Sequence, residues 1–274
     1  MIDGQLHVHR YRAGEGLPLV LLHGFPLDRR MWDDVVDLLP GERPVLAVEL
    51  PGFGASPRGE DVAEALGLGP EPSLEVSARG VVAALRAHGV DRAVLVGLSM
   101  GGYVAMAVLE VAAELVAGLG LVDTKSTADD PEAAARRLEV ADQVEHSQSV
   151  EPVLGSRFGL LGATSRAQRQ DLLERLEQWM RDQGPAAVAW AQRAMAARPD
   201  RTEVLRRHLG PSLVLVGEED EITPLEAAEH MRSALSDVEL VTVPRAGHMT
   251  TIEAPEPVAA ALSRLARRAE GSAR

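Results

Sequence analysis

The chain has 274 residues, 46% of them hydrophobic and 25% charged, with a formal net charge of -13. That balance fits a globular protein with one large core, and the acidic excess argues against a nucleic-acid partner, because phosphate binding needs a basic face. There is no cysteine, which excludes disulfides, thiolate metal sites and a cysteine nucleophile. Lys125 is the single lysine, so no Gly-Lys phosphate loop is present. The first residues show no basic stretch leading into an apolar one, and no apolar run approaches the length of a membrane span. A cytoplasmic protein with no membrane partner is expected.

In chain order, Gln5–Arg12 alternates Leu6 and Val8 with His7 and His9 and reads as a half-exposed edge strand, its histidines facing solvent. Leu17–Leu22 is a buried strand ending in His23-Gly24-Phe25-Pro26, and a helix follows around Trp32–Leu39. Pro44–Leu50 is the next buried strand, ending in Pro51-Gly52-Phe53-Gly54. Pro57–Pro72, rich in glycine, proline and acid, reads as a loop, and Ser73 caps a helix to about His88. Ala93–Val96 is a strand, Gly97-Leu98-Ser99-Met100-Gly101 a turn, and a helix then runs to about Val116. Ala117–Val122 is a further strand, ending at Asp123-Thr124.

This alternation predicts an α/β fold, a mostly parallel sheet with helices on both faces. It stops at Lys125. From there to His208 only helical patterns appear, over Pro131–Val144, Ser165–Gln183 and Pro185–Ala197. The chain therefore divides into a core domain, 1–124 and 209–274, and a helical cap insertion, 125–208, over the strand ends where open parallel sheets bind ligands. The cap's large apolar residues include Trp179, Met180, Trp190 and Met195; some pack the cap onto the core, and at least one of Trp179 and Trp190 is expected to border the substrate pocket. The sheet resumes at Ser212–Val216, ending in Gly217-Glu218-Glu219-Asp220. A helix over Leu225–Leu235, a strand over Val238–Val243, the pair Gly247-His248 and a final helix over Pro257–Arg268 complete it.

Gly97-x-Ser99-x-Gly101 carries the chemistry. A serine on so sharp a strand-to-helix turn takes a strained conformation that crowds the residues two before and two after it, and glycine fits there. The helix behind the serine directs backbone N–H groups and its positive end at the hydroxyl, which suits a developing oxyanion. A serine hydroxyl needs a base within reach, itself oriented by an acid, both in loops at the ends of later strands. Asp220 and His248 meet these conditions. Asp123 is the rival acid, at an earlier strand end. His88, His146, His208 and His230 lie in helical patterns and read as surface histidines.

The whole chain from His23 to the last helix resembles the α/β-hydrolase superfamily, nearest to small serine carboxylesterases and enol-lactonases with a helical cap. His23-Gly24-Phe25 is similar to its oxyanion loop, Gly97–Gly102 to its nucleophile elbow, Gly217-x-x-Asp220-x-x-x-Pro224 to its acid loop and Gly247-His248 to its histidine loop. The resemblance implies Ser99 as nucleophile, His248 as base, Asp220 as acid, and the backbone N–H groups of Phe25 and Met100 as the oxyanion hole. His23 is then structural. Glu49 departs from the aspartate common at its position. The implied activity is cleavage of a small carboxylic ester or lactone, with no cofactor and no metal. Perhydrolysis of the haloperoxidase type, acyl transfer and a small-molecule receptor on the same fold stay open alternatives, as does the oligomeric state.

Overall fold

Seven strands, described with the rest of residues 4–271 in a computed structural model, make one sheet. They are β1 (Val8–Arg12), β2 (Leu19–Leu22), β3 (Val45–Val48), β4 (Ala93–Leu98), β5 (Val116–Val122), β6 (Ser212–Gly217) and β7 (Val238–Val243). Their order across the sheet is β1-β3-β2-β4-β5-β6-β7, with β1 antiparallel to β3 and every other pairing parallel. Strands β2 to β6 are buried along their whole length, which is why they read as continuous apolar runs. The edge strands β1 and β7 are mostly half-buried.

Register makes this a functional arrangement. Leu22 of β2 pairs with Gly97 of β4, Leu98 with Val122 of β5, Val122 with Leu215 of β6, and Gly217 with Val243 of β7. Because these strands run in parallel, the segments that follow each one emerge along a single edge of the sheet. That edge gathers Phe25, Ser99, Asp123, Asp220 and His248 from five separate places in the chain.

Between β5 and β6 the regular elements are all helices, with Pro131–Ser147, Gln170–Arg181 and Pro185–Ala196 as the longest. Pro131–Ser147 and Pro185–Ala196 pack on each other. The expected Ser165–Gln183 helix is two, Ala163–Gln168 and Gln170–Arg181, broken where Arg169 leaves helical backbone angles (φ -126°, ψ 66°). Three further helices, Glu151–Leu154, Arg157–Leu160 and Thr202–Arg206, are too short to show a 3.6-residue period.

Three further expectations are corrected here. Pro57–Pro72 is not all loop, since Gly59–Ala65 is helical: Glu60 and Asp61 occupy its first turn and Val62 and Ala63 are buried. Only two apolar residues face inward, too few to stand out among glycine and proline. The helix after Ser99 ends at Val111, short of Val116, and a 3₁₀ turn over Ala113–Leu115 leads into β5. His7 also differs from a free surface histidine, because its Nδ1 lies 2.9 Å from Glu49 Oε2. The same Glu49 oxygen accepts the Ala55 N–H at 2.7 Å, so the glutamate ties the loop after β3 to the edge strand.

Candidate active site

Ser99 sits at the junction of β4 and the helix Met100–Val111 with φ 51° and ψ -112°. Positive φ is costly for a residue with a Cβ, and here the surroundings impose it. A Cβ on Gly97 would lie 2.1 Å from the Gly101 carbonyl oxygen, and one on Gly101 would lie 2.3 Å from that of Leu22. The two glycines therefore let the turn close on itself and on β2. Ser99 N–H donates to Val122 O at 3.0 Å, and Ser99 O accepts from Gly102 N, Tyr103 N and the Thr124 hydroxyl, the last at 2.8 Å. With the backbone pinned at both ends, the side chain projects from the sheet edge.

Its hydroxyl oxygen is 2.8 Å from His248 Nε2, and His248 Nδ1 is 2.9 Å from Asp220 Oδ2. An ionised carboxylate only accepts, so Nδ1 carries the hydrogen and Nε2 is left as acceptor for the serine proton. Asp220 is fixed by its own loop: Oδ1 accepts the N–H groups of Ile222 and Thr223, both at 2.9 Å, and Oδ2 accepts the Thr223 hydroxyl at 2.7 Å. Burial alone would raise the Asp220 carboxyl, but the facing His248 and these donors outweigh it and hold the group below the ordinary carboxylate range.

Across from the serine, the loop after β2 is tied down by His23. This fully buried ring accepts the Leu50 N–H at Nε2 (2.9 Å) and donates from Nδ1 to Gly24 O (3.0 Å), and burial lowers its pKa. Gly24 N–H meets Met31 Sδ at 3.1 Å, and Phe25 packs edge-on against Phe53. The N–H groups of Phe25 and Met100 have no acceptor among the described residues. Backbone N–H donors left without an acceptor are the kind of group that can receive an oxyanion.

Above Ser99 lies a cavity of about 210 Å³. Phe25, Ile222 and His248 line it from the sheet edge, and Arg137, Gln192 and Met195 from the helical segment. Larger depressions occur elsewhere, including one of about 480 Å³ between Arg10 and Arg92, but no residue of these loops lines it.

The sequence profile of the alpha/beta hydrolase family matches residues 19–261, nearly the whole of this arrangement. The chain belongs to that family. Among solved structures, a thermophilic esterase from Thermogutta terrifontis, described with malate bound, is 33% identical with a TM-score of 0.88, over 97% of this chain and 94% of that one. Among curated relatives, the dihydrolipoyllysine-residue acetyltransferase component of the acetoin cleaving system of Pseudomonas putida is 32% identical over 90% of this chain. The biotin biosynthesis bifunctional protein BioHC of Cellvibrio japonicus is 30% identical over 89% of it. The chain spans 62% and 46% of the length of these two proteins, respectively.

In this chain the rival carboxylate, Asp123, has other partners. Its Oδ1 accepts the Gly217 N–H at 3.0 Å, and its Oδ2 accepts the Thr250 hydroxyl at 2.5 Å and the Thr250 N–H at 3.3 Å. Burial, and then the charge of Asp220, push its pKa well above the ordinary value. Glu253, unremarked in the sequence, accepts the N–H groups on both sides of His248, Gly247 at 2.9 Å and Met249 at 3.2 Å, and also Gly162 at 2.9 Å. Thr223, Thr250 and Glu253 each follow a site residue within five positions, but no local pattern marks them as pointing back.

The expectation for Trp179 and Trp190 is corrected: neither lines the cavity. Gln192 and Met195, three apart, share the cavity face of helix Pro185–Ala196, and Trp190 lies two residues before Gln192, about 200° round the helix axis. Its indole packs on Gly59, where an added Cβ would come within 2.1 Å of it. Trp179 is half-buried between the guanidinium groups of Arg30 and Arg175, 5.6 and 5.0 Å from its ring. His208 is corrected as well: it is buried at 7% exposure, whereas His88, His146 and His230 are exposed. Among the described residues no group of His, Cys, Asp and Glu is arranged to hold a metal, and no helix is long and apolar enough to cross a membrane.

Proposed function

We propose that this hydrolase cleaves a small carboxylic ester or lactone through an acyl-enzyme. Ser99 attacks the carbonyl while His248 Nε2 takes its proton, and Asp220 holds the imidazole in that tautomer and stabilises its cation. The tetrahedral oxyanion is received by the N–H groups of Phe25 and Met100. His248 returns the proton to the leaving alkoxide, then activates a water that releases the acid. Residues 125–208 act as the cap that closes the pocket, and core and cap together are the working unit.

The single observation that carries this reading is the continuous relay Ser99 Oγ–His248 Nε2 (2.8 Å) and His248 Nδ1–Asp220 Oδ2 (2.9 Å), open to a cavity on its serine side. Likeness to an esterase over 97% of the chain supports the same chemistry. The cavity, about 210 Å³, falls below the usual range for ligand pockets, roughly 300–1,000 Å³, which favours short acyl groups. The test is turnover of a panel of aryl and methyl esters and simple lactones of graded acyl length. Rates should be highest for the shortest acyl chains and should vanish in Ser99→Ala. A protein that turns over none of the panel, or whose Ser99→Ala variant keeps its activity, is not this hydrolase.

A further inference from the structure

The cavity above Ser99 contains a charge for which the hydrolytic relay has no use. Arg137, from helix Pro131–Ser147, lines it together with Ser99 and His248, and no acidic side chain is among the lining residues. Its Nε donates to Asp129 Oδ2 at 2.7 Å and its Nη1 to the uncharged Gln192 Oε1 at 3.1 Å. Nη2 has no acceptor among the described residues.

Asp129 is shared with two other cations. That carboxylate takes a two-pronged pair from the buried guanidinium of Arg198, at 2.7 and 2.8 Å, and the Lys125 ammonium at 3.1 Å. Three positive side chains thus share one negative one, in a chain whose net charge is -13. Arg198 also lies 4.2 Å from the centre of the Tyr103 ring, and Tyr103 is itself a wall of the cavity. The helical side of the pocket is therefore positive, and one of its guanidinium groups has a terminal nitrogen still to be paired. The remaining wall is largely apolar, with Phe25, Val140, Val153, Leu160 and Met195, and an apolar surround strengthens a charge pair by excluding water.

We propose that Arg137 is an anion subsite, and that the preferred substrate is a small ester bearing a second, free carboxylate, bound by the Arg137 guanidinium while the ester carbonyl lies at Ser99. This rests on the ester-hydrolase reading and narrows its substrate class. The volume agrees with a compact ligand: at about 30 Å³ per water, 210 Å³ holds roughly seven. Such a cavity has space for a short dicarboxylic half-ester and little more.

The test compares methyl half-esters of succinic, glutaric and adipic acids with methyl butyrate, valerate and hexanoate, which match them in length but lack the charge. kcat/KM is measured for the wild type, Arg137→Met and Arg137→Lys. In the wild type the best half-ester should exceed its neutral counterpart by roughly ten- to a hundredfold, the scale of one charged hydrogen bond, mainly through KM. Arg137→Met should erase that ratio and Arg137→Lys should keep part of it. Any general loss in a variant cancels in the ratio. A second readout involves no chemistry: free glutarate should raise the Tm of the wild type and not that of Arg137→Met. Turnover of neutral esters with no preference for half-esters overturns the subsite and leaves the ester hydrolase standing. Turnover of neither series overturns both. A preference that survives in Arg137→Met assigns the anion to some other group and also overturns the proposal.

Discussion

Asp123 and Asp220 stand just past adjacent parallel strands, both buried, and they are used in opposite ways. Asp220 faces a histidine, is met by four donors including that ring, and is held below the ordinary carboxylate range. Asp123 faces only backbone N–H groups and a threonine hydroxyl, and is pushed well above it. Burial acts on both carboxyls in the same direction, upward. A neighbouring cation-forming ring separates them, since a facing positive charge favours the ionised form and a facing carboxylate opposes it. Position at a strand end does not make a carboxylate the partner of the base; the residue opposite does. Asp123 belongs instead to the supports: it joins the start of the acid loop at Gly217 to Thr250, two residues past His248.

The largest expected effect tests this contrast directly. Asp220→Asn should lower kcat by about 10⁴-fold, because the amide cannot fix the same His248 tautomer. Asp123→Asn should cost at most about a hundredfold, the scale of a small misplacement of groups that remain present. Steady-state kinetics on one good ester checks both. Reversed costs would move the acid to Asp123 and break the comparison.

A second contrast, within one helix, concerns stability. Trp190 fills the space against Gly59, whereas Gln192 and Met195 face the cavity. Trp190→Ala should destabilise the fold by about 3–5 kcal/mol through the void it leaves. The order of rates across esters of graded length should not change. Met195→Ala should shift that order with a smaller loss of Tm. A changed length preference in Trp190→Ala would return that residue to the pocket.

Smaller still is the pH signature of the two carboxyls, which have opposite signs. The folded-state pKa of Asp220 lies below its ordinary 3.8, so its contribution is present above that value and is lost as pH falls through the folded pKa. The folded-state pKa of Asp123 lies above 3.8, so its contribution is full below that value and is lost as pH rises toward the folded pKa. Denaturant melts across pH should therefore show the stability gap between wild type and Asp123→Asn narrowing in favour of the variant as pH rises from about 4. The gap between wild type and Asp220→Asn should instead stay constant as pH rises from about 4 and narrow in favour of the variant as pH falls below that point. Equal slopes for the two variants would remove the electrostatic distinction. Finally, exhaustive treatment with a chelator should leave kcat unchanged, since the proposed mechanism activates the serine with a base and meets the oxyanion with N–H groups.

Much of this was legible in the residues because local physics dictates it. Short apolar runs bounded by turn residues and alternating with helical patterns fit strands buried on both faces, as β2 to β6 are. Two glycines flanking a serine between strand and helix record a steric demand of that turn, visible in the 2.1 Å and 2.3 Å approaches a Cβ would make. Parallel strands then carry Phe25, Ser99, Asp220 and His248 to one edge, so their order in the chain already implied their meeting. The choice of Asp220 over Asp123 came from a motif, but the reason for it, which group each carboxylate faces, depends on side-chain directions set by neighbouring strands. The cavity wall was decided by tertiary structure alone. A helix such as Pro185–Ala196 is apolar over much of its circumference, so its pattern does not say which side meets the core and which the pocket. Its rotation is set by contacts with residues far away in sequence, Gly59 on one side and the Pro131–Ser147 helix on the other. That rotation turned Trp190 away from Ser99 and left the cavity to Gln192, Met195 and the unpaired end of Arg137.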